Sequence, residues 1–133
     1  MTPSRPSFSS LARPLVLLAD DSAVARLAVA RRLRADGFEV LEQASALLPA
    51  PEPLERVACA LLDLDLGDAD GTELGRQLLS HRADLPIAFF SGTASAELLT
   101  KARALGPVFA KPAELDDAVA WIRTSMSARD ASE

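Results

Sequence analysis

Two apolar runs, residues 15–19 and 58–62, lack the three-to-four spacing of an amphipathic helix. Runs of that length with no polar face read as strands covered on both sides. After the first run the period changes. Ala25, Ala28, Val29 and Leu33 recur at helical spacing, with Ser22 placed to cap the start and Gly37 to stop the end near Asp36. Residues 38–42 give a second strand. Leu74 and Leu78 lie one turn apart in a helix over 72–82, and Leu98, Ala102 and Leu105 share one face of another over 95–105. Strands are predicted at 87–90, behind Pro86, and at 108–110, behind Gly106 and Pro107. Leu115, Ala118, Val119, Ile122 and Met126 mark the apolar stripe of a last helix over 113–125. The pattern breaks once, between 42 and 58, where Pro49, Pro51 and Pro53 leave room only for short helical pieces.

Five strands alternating with helices, the second helix degraded, predict an α/β fold: a flavodoxin-like, doubly wound, five-stranded parallel sheet in the order 2-1-3-4-5. Residues 1–14, rich in Ser, Pro and Arg, are expected to be a flexible leader, 15–126 the folded domain and 127–133 a disordered tail. A chain of 133 residues, 49% hydrophobic, suits one globular domain. Its net charge of −5 argues against binding to nucleic acid or an anionic membrane surface. No apolar stretch approaches the ~20 residues that span a bilayer, and the N-terminal run is too short for a signal peptide. Cys59 is the sole cysteine, which excludes an internal disulfide and reads as a small core residue. A cytoplasmic location is expected.

The candidate chemistry sits at strand ends. Asp20 and Asp21 follow the first apolar run, and Asp63 follows the second. Sites in open parallel sheets form at the carboxyl ends of neighbouring strands, and the order 2-1-3-4-5 puts strands one and three side by side. Three acids then meet at one spot. At about 4 Å and an effective dielectric near 20 each pair costs roughly 4 kcal/mol, so the cluster predicts a cation, and oxygen ligands suit Mg²⁺. Ser91 and Lys111 end strands four and five toward the same side. An ammonium suits a phosphoryl oxygen, and a hydroxyl can donate to another. Asp63 is the candidate nucleophile, because carboxylates form aspartyl-phosphates, with the metal and Lys111 stabilising the transferring group.

The segments L-L-A-D-D-S, L-L-D-L-D-L-G-D-A-D-G, F-F-S-G-T and F-A-K-P occur in an order and spacing that resembles the receiver domains of two-component response regulators. The resemblance covers about residues 15–126. It implies that Asp63 accepts phosphate from a histidine kinase or a phosphotransfer protein. It also implies that Asp20, Asp21 and Asp63 hold Mg²⁺ together with the backbone carbonyl of Asp65, and that Ser91 and Lys111 sense the phosphoryl group. Self-catalysed dephosphorylation would be tuned at Asp65 and Thr93. The output would be an altered contact with an unidentified downstream protein, with a homodimer left open.

Three departures accompany the likeness. Gly67 stands where the family usually has Pro, which predicts a looser loop. Val108 stands where many members have a rotating aromatic, with Phe109 one residue later; the approach A-L-G-P-V-F-A-K-P is short, similar to receivers fused to hybrid kinases. The proline-broken second helix is atypical.

Other readings compete. D-A-D-G-T (68–72) resembles the nucleophile motif of haloacid dehalogenase-type phosphatases, with Asp68 as nucleophile. Leu66 and Gly67 intervene after the strand, however, and only 61 residues follow Thr72. A calcium loop ending its turn at Gly71 would need an acid at Leu66 and a Glu at Gln77, so that frame fails. A receiver-like scaffold that is never phosphorylated has the intact set of Asp20, Asp21, Asp63, Ser91 and Lys111 against it. Arg26, Arg31, Arg32 and Arg34 make the first helix basic, either as a solvated face or as a kinase-docking surface.

Overall fold

Strands β1 (Leu15–Ala19) and β3 (Val57–Leu62) carry no charged side chain, and in the computed structural model they form the middle of a parallel sheet. Residues 13–67 and 69–132 are described, with side chains as far as Ser127. Most of the expected leader (1–12), together with Asp68 and Glu133, lies outside the described residues. Strand β2 (Glu39–Gln43) flanks β1; β6 (Ile87–Ser91) and β7 (Val108–Ala110) continue beyond β3. Strands β4 (Asp65–Leu66) and β5 (Ala69–Asp70) form a separate antiparallel ribbon. With the ribbon set aside, the sheet order β2-β1-β3-β6-β7 is the expected 2-1-3-4-5.

Helices α1 (Ala23–Ala35) and α5 (Leu115–Ser132) cover one face, where Val29, Ala30, Leu33, Ala118, Val119 and Ile122 pack on Val16, Leu18, Leu61 and Phe90. Cys59 is fully buried in the same layer. On the other face, α2 (Pro51–Arg56), α3 (Gly71–His81) and α4 (Ala96–Arg103) bring Leu54, Leu74, Leu78 and Ala102 onto Leu15, Leu17, Leu62 and Phe89. Each such leucine stabilises the fold by roughly 1.5–3 kcal/mol through its removal from water.

Three expectations change. Ala28 is exposed and Ala30 is buried instead; with alanine at 25, 28 and 30, side-chain size did not say which flank of α1 meets the sheet. The proline-rich break keeps to expectation, with one short helix of six residues whose first residue is Pro51, a position that needs no N–H donor. The loop expected to be loose at Gly67 is paired across β4 and β5, with Leu66 buried and Gly67 at φ +78° in the turn. Residues 127–132, expected as a disordered tail, continue α5 to Ser132, because no Gly or Pro follows Pro112 to end the helix.

The short α2 is held by a residue far from it in sequence. Arg82, which ends α3, donates through Nη1 to the carbonyls of Leu54 at 3.0 Å and Val57 at 2.9 Å. The loop before α2 is tied by Gln43, whose Nε2 donates to the carbonyls of Ser45 and Leu47 at 2.8 and 2.7 Å. Ala46 and Leu48 from that loop pack on the core where a longer helix would otherwise lie.

Candidate functional site

Strand register builds the site. Ala19 lies opposite Leu62, so β1 and β3 end level and their next residues emerge side by side. The Asp63 N–H completes the ladder by donating to the Ala19 carbonyl at 2.8 Å. The carboxylates of Asp20, Asp21 and Asp63 each offer an oxygen within 4.8 Å of the others; Asp20 is 2% exposed, Asp63 6%, and Asp21 faces solvent. This is the convergence expected from the strand order.

Lys111 closes the cluster from β7. Its Nζ donates to Asp20 Oδ2 at 2.6 Å and to Asp63 Oδ2 at 2.9 Å. Its peptide N–H donates to the Ser91 carbonyl at 3.1 Å, which fixes the end of β7 against the end of β6. Burial alone would lower the lysine pKa, but the bonds to the two acids outweigh it and the ammonium is raised above its ordinary range. Asp20 responds differently. Burial raises its pKa, and the bonds from Lys111 and from the Ser22 N–H only partly offset that, with the nearby Asp63 adding to the rise. The pair therefore secures the charge on Lys111 more than on Asp20, which is almost fully desolvated.

Ser91 is 5% exposed and lines the same open cavity of about 850 Å³ as Asp63, Asp65, Thr93 and Lys111. Its Oγ accepts from the Thr93 N–H at 3.3 Å. One carboxylate oxygen of Asp63, Oδ1, accepts from the Asp65 N–H at 3.2 Å, while the side chain of Asp65 turns to its own loop and accepts from the Gly67 N–H. Val108 packs with the core on the α4 side and Phe109 with the core on the α1 side.

Two residues important to the site were missed in the sequence. Asp70 caps α3: its Oδ1 accepts from the N–H of Thr72 and of Glu73 and from the Thr72 hydroxyl. Burial would raise the Asp70 pKa, but these bonds win and lower it. Gly71 follows because a Cβ there would collide with the main-chain carbonyl of Asp63. The D-G pair thus seats α3 against the end of β3; an acid followed by a glycine at a helix start was the available signal. Asp70 is taken up in this cap rather than free for phosphatase chemistry, and Asp68 lies outside the described residues.

Comparison with known proteins agrees with this geometry. Residues 16–123 match the response regulator receiver domain family, and the chain belongs to it. Among curated proteins it is similar to the transcriptional regulatory protein PdtaR of Mycobacterium tuberculosis, 27% identical over 116 residues. That match covers 84% of this chain and 56% of PdtaR, so the chain spans about half the length of the curated relative. Among solved structures, a CheY-like receiver domain protein from Methanospirillum hungatei matches with a TM-score of 0.76 at 23% identity, covering 91% of this chain and 99% of that one. The non-phosphorylated HemR receiver domain of Leptospira biflexa gives 0.74 at 24%, covering 86% and 95%. These likenesses establish the fold. Receiver domains are signalling modules, and among the described residues no helix is long and apolar enough to cross a membrane.

Proposed function

We propose that the protein is a phosphorylation switch whose acceptor is Asp63, loaded by a histidine kinase or a phosphotransfer protein. The reading rests on one observation: the Lys111 ammonium bridges Asp20 and Asp63, and Lys111 and Asp63 line the same cavity as Ser91. In the transfer, a carboxylate oxygen of Asp63 bonds to phosphorus as the phosphorus–nitrogen bond to the donor imidazole breaks. Lys111 supplies positive charge to the phosphoryl oxygens, and the Ser91 hydroxyl donates to another of them. Thr93 and Asp65 line the same cavity and would tune the rate of self-catalysed dephosphorylation.

The donor set suits a divalent cation: three hard carboxylates, two of them buried, converge, and the Lys111 ammonium offsets them in part. Asp20, Asp21 and Asp63 would hold Mg²⁺, with the Asp65 carbonyl as a further ligand. Mg²⁺ held there would neutralise the acids and screen charge on the transferring oxygens. The phosphoryl group adds about −1.5 to −2 charge. Lys111 and Ser91 then turn toward it, the loops after β6 and β7 move, and the surface of α4, β7 and α5 changes its affinity for a downstream protein.

Incubation with acetyl phosphate and Mg²⁺, followed by intact mass, tests the reading. Wild type is expected to gain one phosphoryl group and Asp63→Asn none. No gain in wild type would remove the switch and leave a receiver-like scaffold. Turnover of a phosphomonoester that depends on Asp68 would favour the phosphatase.

A further inference from the structure

Beyond the residues that meet the phosphoryl group or the cation, the geometry points to Arg26 as a positioning residue for the acid cluster. This inference rests on the reading of Asp20, Asp21 and Asp63 as a cation cradle. The last rung between β1 and β3 is the bond from the Asp63 N–H to the Ala19 carbonyl. The Asp20 carbonyl is the first beyond the sheet, at the turn where the chain must present two adjacent carboxylates. Arg26, one turn into α1, folds back and donates through Nη1 to that carbonyl at 2.7 Å. Its Nε lies 3.5 Å from Glu42 Oε1, and the other oxygen of Glu42 accepts from Arg34 at 3.0 Å. The guanidinium is thus gripped from β2 while it holds the peptide of Asp20. The remaining bonds at the turn run the same way: the Asp20 N–H donates to Gln43 at 3.0 Å, and the Ser22 N–H donates to Asp20 Oδ1 at 2.9 Å. Arg26 is the only side chain among these that reaches the turn from outside it without touching a carboxylate of the cradle. Its planar fork spans a carbonyl and a carboxylate together, which a lysine cannot copy.

Charge and positioning make opposite predictions here. Arg26 is a cation beside a cation site, so by Coulomb attraction and repulsion alone its removal would tighten divalent-ion binding. If it holds the turn, removal lets Asp20 and Asp21 splay and binding weakens. Titration calorimetry of the full chain with Mn²⁺ reads the sign directly, with circular dichroism to confirm that each variant is folded. Arg26→Ala is expected to weaken Mn²⁺ binding about tenfold, the scale of one charge-assisted hydrogen bond. Arg26→Lys, which keeps the charge and loses the fork, is expected to weaken it about threefold, and this variant decides the matter if Arg26→Ala does not fold. Unchanged or tighter Mn²⁺ binding in the folded variants overturns the inference while leaving the phosphoacceptor reading intact. Wild type that takes up no Mn²⁺ overturns the cradle, and this inference with it.

Discussion

The two faces of the sheet are covered in different ways. On one, α1 and α5 are long and continuous, and their side chains reach full burial at Leu33, Val119 and Ile122. On the other, α3 and α4 are joined by a six-residue α2 and a loop, and Leu47 of that loop stays 75% exposed. Yet the acid cluster stands on β1 and β3, the strands that both layers share, and it is braced from each side separately. Arg26 of α1 holds the turn after β1, and the Asp70–Gly71 pair of α3 holds the end of β3. The short α2 and the loop before it supply neither brace. Local loss of a helix is therefore compatible with an unaltered site.

Truncations on the two faces are expected to differ most. Leu33→Ala is expected to cost about 4 kcal/mol in urea denaturation, because fully formed helices around it cannot collapse into the void. Leu54→Ala, in the short α2, should cost about 2 kcal/mol, since that segment can settle inward. Equal losses would contradict the comparison.

The second test strikes the brace itself. Gly71→Ala forces a methyl group into the Asp63 carbonyl, and the expected cost is about 3 kcal/mol. Acetyl phosphate labelling of the surviving folded protein should fall with it, as the end of β3 shifts. Full labelling at full stability would mean that α3 can move away freely.

The smallest effect concerns the cap. Asp70→Ala is expected to cost about 1 kcal/mol at pH 7. Because the folded Asp70 titrates below its ordinary value, its contribution is present above about pH 3.8 and fades as the pH falls through the lowered folded value. Asp70→Asn keeps a capping oxygen without the charge, so its stability should fall less than wild type across that acid range. Parallel losses in the two proteins would show that Asp70 does not titrate as its bonds require.

Much of this arrangement was legible in the sequence because it depends on strong, local signals. Unbroken apolar runs gave the central strands, Ser22 gave the start of α1, and the strand order brought three acids together. What escaped depends on approach between distant segments. Ala28 and Ala30 are chemically alike, so only packing distinguishes them. The bend at Gly67 pairs with its own neighbour, and nothing in its composition separates a ribbon from an open loop. Gly71 is needed because of a carbonyl eight residues earlier, and Arg26 matters through a peptide oxygen that carries no sequence identity.

Arg82 has a practical consequence for anyone recombining such domains. A helix of six residues leaves its last carbonyls to be answered by something else, and here a guanidinium from the end of α3 reaches across to them. The connector 44–56 is therefore not a portable cassette. A chimera that imports it must import arginine at position 82 as well, and one that restores a longer second helix would take from that arginine the carbonyls its Nη1 now meets.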